Sequence, residues 1–162
     1  KAMRFSKHAD RIELHFAGKG PYMKKYMIQA DRLVKEGVLK HHPRFAFYSR
    51  EELKEIIRQA YLYIHCAWVE VEGLSCVESI MEGAVPIIAK GEFTATHQFA
   101  LDERSLFTES DSRMLAEKID WWIEHPAERN RMAAKYAESV QKYSAEDSTD
   151  KIIQMYKDAI KT

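Results

Sequence analysis

The sequence is poor in several features that mark whole classes of protein. Cysteine occurs only twice, at Cys66 and Cys76, and without the spacing of a metal site, so free thiols in a reducing compartment are expected. No apolar run approaches the roughly 18 residues that are needed to cross a bilayer. Lysine plus arginine number 25 and aspartate plus glutamate also number 25, so the overall charge does not favour nucleic acid or an anionic membrane as a partner.

The sequence does have enough apolar material for one packed domain. Of its 162 residues, 46% are hydrophobic, which excludes a disordered chain. We therefore expect a single domain over residues 1–162. Residues 1–8 (KAMRFSKH) look like the end of a helix that leads into a strand, which predicts an N-terminally truncated fragment of a longer protein.

Strand and helix patterns alternate along the chain. The predicted strands are residues 11–17, 44–48, 61–67 and 85–89, and the third is apolar enough for the central strand of a parallel sheet. The predicted helices are residues 22–36, a segment capped by Ser49 and Glu52, residues 75–82, and three segments within about 111–162 that we expect to pack on the sheet. This order predicts an α/β fold with a Rossmann-like, three-layer α/β/α parallel sheet.

A glycine turn opens the predicted helix at residues 75–82, at the edge where such sheets bind ligands beyond the carboxyl ends of their strands. Backbone amides of Gly73, Leu74 and Ser75 could face a phosphate at the helix N-terminus. Alternatively, Ser75 caps the helix and Gly73 only eases the bend. Glu78 also has two interpretations: it completes a capping box with Ser75, or it accepts hydrogen bonds from the two hydroxyls of a ribose.

Other polar residues near this edge are candidates for ligand contacts. Glu70 and Glu72 both follow the strand predicted at residues 61–67, and spacing alone does not choose between them. Lys19 lies in a turn from which it could approach a phosphate, although a solvated turn lysine is the commoner case. His65 lies within a strand and is interpreted as a core or site-wall histidine.

These segments together resemble the signature of family-4 retaining glycosyltransferases. That family has two glutamates separated by seven residues, and Glu70 and Glu78 have this spacing. The stretch 78–89 (ESIMEGAVPIIA) is similar to the family's Glu-Ala-Met-Ala-x-Gly-x-Pro-Val-Ile-Ala. Residues 14–21 (LHFAGKGP) and 48–53 (YSREEL) are similar to its Gly-x-Gly-Pro and Val-Ser-x-Glu-Glu-Leu segments, in the same order.

The resemblance implies a fold and a set of residue roles. The fold would be the C-terminal, donor-binding half of a GT-B glycosyltransferase. Glu70 would be the catalytic carboxylate beside the donor sugar, and Glu78 would hold the ribose. No metal would take part. The residues that would bind the nucleotide and diphosphate of the donor are Gly18, Lys19, Tyr48, Ser49, Gly73, Leu74, Ser75 and Glu78.

The activity that the resemblance implies is transfer of a hexose, with retention, from a nucleotide sugar such as a UDP-sugar to a saccharide or lipid acceptor. No cofactor and no nucleic-acid partner are expected. The implied setting is the bacterial synthesis of surface polysaccharide or glycolipid, in the cytoplasm or at the inner face of the membrane. The alternatives are a sugar-nucleotide 2-epimerase of the same architecture and a non-catalytic nucleotide-binding module.

Two departures from the family pattern bear on activity. Glu72 stands where the family has phenylalanine, which places negative charge near the expected diphosphate. The family's arginine and lysine, which stabilise the leaving diphosphate, would lie before Lys1. The acceptor-binding domain would also lie outside residues 1–162, so this fragment alone is expected to be inactive.

Overall fold

The computed structural model of the chain describes residues 1–160. The strands are β1 (His15–Ala17), β2 (Arg44–Ala46), β3 (Leu62–His65), β4 (Val69–Glu70), β5 (Val85–Lys90), β6 (Phe93–Thr94) and β7 (Leu106–Thr108). The helices are α1 (Met23–Lys35), α2 (Arg50–Gln59), α3 (Leu74–Met81), α4 (Ser112–Glu124), α5 (Pro126–Ser139) and α6 (Ala145–Ile160). Short 3-10 turns join several of them.

Every strand pair in residues 1–160 is parallel, which confirms the predicted α/β, Rossmann-like class. Hydrogen bonds divide the strands into a β1–β2 pair, a β3–β5–β7 sheet and a small β4–β6 pair. The central position of the three-stranded sheet belongs to β5, whose residues 85–89 are all buried. The prediction that residues 61–67 form a central strand is therefore wrong. Within residues 1–160, β3 pairs on one side only, with β5, and Leu62, Tyr63 and Ile64 are half-buried.

The N-terminal segment departs from its predicted helix and strand. Residues 2–4 form a 3-10 turn in place of a helix end, with Ala2 and Met3 buried. A second 3-10 turn at Ala9–Arg11 shortens the strand predicted over residues 11–17 to β1. The turns are held by a buried carboxylate on α4, because Asp120 accepts hydrogen bonds from the Ser6 hydroxyl and the Lys7 amide.

Local sequence signals place the helices as predicted. Ser49 and Glu52 form the expected capping box at the start of α2, and Pro126 occupies the first turn of α5. Ser144 accepts a hydrogen bond from the Asp147 amide at the start of α6. In the core, α4 and α5 contribute the fully buried side chains of Trp122 and Tyr136, while residues 146–160 of α6 are exposed. Among residues 1–160, no helix combines the length and the apolar character needed to span a bilayer.

Candidate functional site

The N-terminus of α3 presents backbone amides that the helix itself does not use. Gly73 is the N-cap residue in the left-handed conformation, with φ 69° and ψ 35°, and no side chain caps the helix. The Gly73 carbonyl accepts from the Cys76 amide at 2.9 Å, the first bond of the helix. The amides of Leu74 and Ser75 precede that bond and have no acceptor within the helix. They form a donor surface for an anion.

Of the two interpretations of Glu78, the structure excludes the capping box with Ser75. The helix begins at Leu74 and its N-cap is Gly73, so Glu78 is the fifth helical residue and lies beyond the position from which a side chain reaches back to the cap. The Glu78 side chain is exposed and has no hydrogen-bond or ion-pair partner among residues 1–160. Glu82, one turn further on, is instead paired with Arg58 at 2.7 Å.

Close packing explains why glycine occupies position 73. A Cβ atom there would lie 2.7 Å from Oγ1 and 2.8 Å from Cγ2 of Thr96. Thr96 is fully buried in the 3-10 turn Thr96–Phe99, so it has no open space to move into. The missing side chain at Gly73 therefore lets the start of α3 rest on that turn.

The β4–β6 pair places Glu70 beside the amide surface. Glu70 ends β4 opposite Thr94, and its carbonyl accepts from the Ala95 amide at 2.9 Å. The Glu70 side chain is half-buried, with 33% of its surface exposed, whereas Glu72 is exposed. A shallow depression of about 440 Å³ is lined by residues 69–75, and thus contains both Glu70 and the first turn of α3. Of the two glutamates, Glu70 is the one that tertiary contacts hold in place.

A buried polar layer lies behind Glu70. His65 Nε2 is 3.9 Å from a carboxylate oxygen of Glu70 and 3.4 Å from Thr96 Oγ1. The other ring nitrogen, Nδ1, is 3.1 Å from the Tyr63 hydroxyl, which donates to Ser75 Oγ at 3.2 Å. Burial lowers the pKa of His65, although the nearby Glu70 opposes that shift, and burial raises the pKa of Tyr63 to about 12. Both side chains are therefore neutral near pH 7.

Sequence reasoning found part of this layer. His65 was predicted as a core or site-wall histidine, and it is 6% exposed in the wall behind Glu70. Tyr63 and Thr96 were not predicted to take part. Tyr63 and His65 are two positions apart in β3, so their side chains lie on the same face of the strand. This spacing is the sequence signal that indicates Tyr63. Thr96 comes from a loop 31 positions after His65, and no local pattern indicates it.

The remaining predicted donor residues lie at the ends of β1 and β2. The Gly18 amide donates to the Ala46 carbonyl at 2.9 Å, and the Lys19 ammonium lies 4.6 Å from the centre of the Phe47 ring. Ser49 uses both its hydroxyl and its amide in the capping box, and Tyr48 precedes it. Within residues 1–160, no hydrogen bond or ion pair joins these residues to the start of α3. Their place in a common site remains a prediction.

The described part of the chain contains no group of three or more histidine, cysteine, aspartate or glutamate side chains arranged to hold a metal ion. Glu70 and His65 lie 3.9 Å apart as a pair.

Similarity to known proteins shows the family and the fold of the chain. The family model described as "Glycosyl transferases group 1" matches residues 1–140. A crystal structure of the catalytic domain of cholesterol-alpha-glucosyltransferase from Helicobacter pylori has 43% identity and a TM-score of 0.81, over 88% of this chain and 86% of that one. The structure of TarM, at 18% identity and a TM-score of 0.74, covers 96% of this chain and 30% of that one, and shows a shared fold alone. No curated protein matched the chain.

Proposed function

We propose that this chain, which belongs to the glycosyl transferases group 1 family, binds the nucleotide-sugar donor for a retaining hexosyl transfer, with a UDP-sugar as the expected donor. The observation that carries the proposal is the open start of α3. Gly73 in the left-handed conformation leaves the amides of Leu74 and Ser75 without a cap, beside a depression that also holds Glu70.

Three parts of a nucleotide sugar would find complementary groups near the start of α3: the diphosphate, the ribose and the donor sugar. The diphosphate would accept hydrogen bonds from the uncapped amides and lie at the positive end of the helix dipole. The same amides would stabilise the negative charge that develops on the diphosphate as the sugar leaves. Glu78, exposed and without a partner in the described chain, would accept from the ribose hydroxyls, and Glu70 would face the donor sugar.

The choice of sugar and acceptor to test follows the relative with 43% identity. The Helicobacter pylori relative is a cholesterol-alpha-glucosyltransferase. We take glucose as the first sugar to test and a lipid as the first acceptor class to test. In a GT-B arrangement the acceptor would be bound by a second domain, so donor binding is the activity to measure on residues 1–162.

Calorimetric titration with UDP tests the proposal. We expect weak but saturable binding, since the amide surface and Glu78 are present. Replacing Glu78 with alanine should weaken binding roughly tenfold or more, because two hydrogen bonds to a charged acceptor are lost. Glu72→Ala is the matched control: it removes an exposed carboxylate from the loop just before α3 and should not weaken binding.

Two outcomes would count against the proposal. If no nucleoside diphosphate binds at millimolar concentration, the chain does not act as a donor-binding domain by itself. If Glu78→Ala and Glu72→Ala reduce the affinity equally, the assignment of the two glutamates is incorrect, even if UDP binds.

A further inference from the structure

Four polar side chains form a continuous hydrogen-bonded row beneath the mouth of the site: Thr96, His65, Tyr63 and Ser75. We refer to them as the polar relay. Thr96 is fully buried and His65 is 6% exposed. The links are 3.4 Å from Thr96 Oγ1 to His65 Nε2, 3.1 Å from His65 Nδ1 to the Tyr63 hydroxyl, and 3.2 Å from that hydroxyl to Ser75 Oγ. The relay thus begins in the core and ends on the first turn of α3.

The buried end of the relay determines the direction of its hydrogen bonds. Thr96 carries a hydroxyl donor with no access to solvent, and in residues 1–160 the acceptor within reach of it is His65 Nε2. A buried donor that lacks an acceptor is costly, so Nε2 accepts. A neutral imidazole has one acceptor and one donor, and Nδ1 therefore carries the proton and donates to the Tyr63 oxygen.

The direction then propagates to the surface. Because the Tyr63 oxygen accepts a hydrogen bond from the Nδ1–H of His65, the Tyr63 hydroxyl donates its own hydrogen to Ser75 Oγ. Ser75 accepts on its inner side, and its own proton is left to point outward. Glu70 does not reverse this order, since its oxygen is 3.9 Å from His65 Nε2, beyond hydrogen-bond distance, whereas Thr96 is within it.

We propose that Thr96, His65 and Tyr63 are positioning residues that fix the Ser75 hydroxyl as a donor toward a diphosphate at the N-terminus of α3. The inference rests on the proposed function, because it requires a diphosphate at that helix end. An isolated serine hydroxyl rotates and can donate in several directions. Because Tyr63 donates to Ser75 Oγ, the Ser75 hydroxyl hydrogen cannot point inward toward Tyr63. A phosphate oxygen therefore meets a hydroxyl donor that is already oriented.

The Tyr63→Phe variant tests the relay because it deletes one hydroxyl and keeps the ring. We expect UDP to bind about tenfold more weakly, which equals about 1.4 kcal/mol. Binding of uridine, which has no diphosphate, should be unchanged in ligand-observed NMR. The control is Tyr61→Phe: the Tyr61 hydroxyl donates to the Trp122 carbonyl at 3.0 Å, on α4, so its loss should not alter UDP affinity.

A double-mutant cycle distinguishes orientation of Ser75 from a general effect on packing. If Tyr63 acts through Ser75, then adding Tyr63→Phe to Ser75→Ala weakens UDP binding no further. If the two losses add, or if uridine binding falls with UDP binding, Tyr63 acts independently of Ser75 and the relay is refuted. If circular dichroism shows that Tyr63→Phe does not fold, Thr96→Val replaces it in the cycle, because it removes the hydroxyl at the buried end of the relay. The expected result is the same: Thr96→Val weakens UDP binding no further when Ser75 is already alanine.

The same titrations separate this inference from the function on which it rests. If the unmodified chain binds UDP and the cycle is additive, only the relay is wrong. If the unmodified chain binds no UDP, both proposals are overturned, because Ser75 then has no diphosphate to meet.

Discussion

Replacing Gly73 with alanine should destabilise the packing at the start of α3. The change Gly73→Ala carries two costs. A non-glycine residue in the left-handed conformation, here at φ 69°, costs about 1–2 kcal/mol. The new Cβ would also lie 2.7 Å and 2.8 Å from two side-chain atoms of the buried Thr96, and forced overpacking of this kind costs about 1–3 kcal/mol.

Gly37 provides a matched control that separates the two costs. Its φ of 73° is close to that of Gly73, but within residues 1–160 no heavy atom other than those of its chain neighbours lies within 4 Å of the Cβ that alanine would add. Gly37→Ala should therefore carry the conformational cost alone. We expect Gly73→Ala to reduce the free energy of unfolding by about 1–3 kcal/mol more than Gly37→Ala does.

Urea unfolding, followed by circular dichroism and extrapolated to zero denaturant, measures the difference. The excess loss should largely disappear when Gly73→Ala is combined with Thr96→Ala, because Oγ1 and Cγ2 are the two closest atoms. If Gly73→Ala and Gly37→Ala destabilise the chain equally, the close packing of α3 on the turn at Thr96 is not what requires glycine.

Two further changes test other parts of the structure by the same urea assay. Ser49→Ala removes the capping box of α2 and should cost about 1 kcal/mol, while Ser148→Ala, within the exposed α6, should be close to neutral; an equal effect of the two would contradict the cap. Because burial lowers the pKa of His65 below its unfolded value, protonation favours the unfolded state, and this residue's contribution to stability should be full above about pH 6.5 and decline as the pH falls below it. The stability advantage of the unmodified chain over His65→Gln should shrink between pH 7 and pH 5, and an advantage that stays constant with pH would show that His65 is not buried in its neutral form.

Structural features that depend on interactions between residues close together in the chain could be predicted from the sequence. The capping box joins Ser49 to Glu52, and the proline at the start of α5 acts through its own ring. The spacing of Glu70 and Glu78 is likewise a property of the sequence alone. Such features depend on neighbours in the chain, which the sequence order already specifies.

The sequence left two interpretations of the start of α3 open, one with Ser75 as the cap and one with an open helix end, and the structure has the open end. Ser75 followed by Glu78 has the pattern of a capping box, yet the helix begins at Leu74, with the left-handed Gly73 as its N-cap. Thr96, 23 positions further along the chain, packs against Gly73 and leaves no room for a side chain there.

The sequence alone therefore determined the class of fold, the boundaries of most helices and the motif that relates the chain to its family. Only the tertiary structure decided that β5 is the central strand, that the amides of Leu74 and Ser75 are uncapped, and that Ser75 is connected to the core through Tyr63 and His65. The physical reason is the range of the interactions. Helix caps and apolar periodicity act between near neighbours in sequence, whereas strand order and buried hydrogen bonds join residues that only the folded chain brings together.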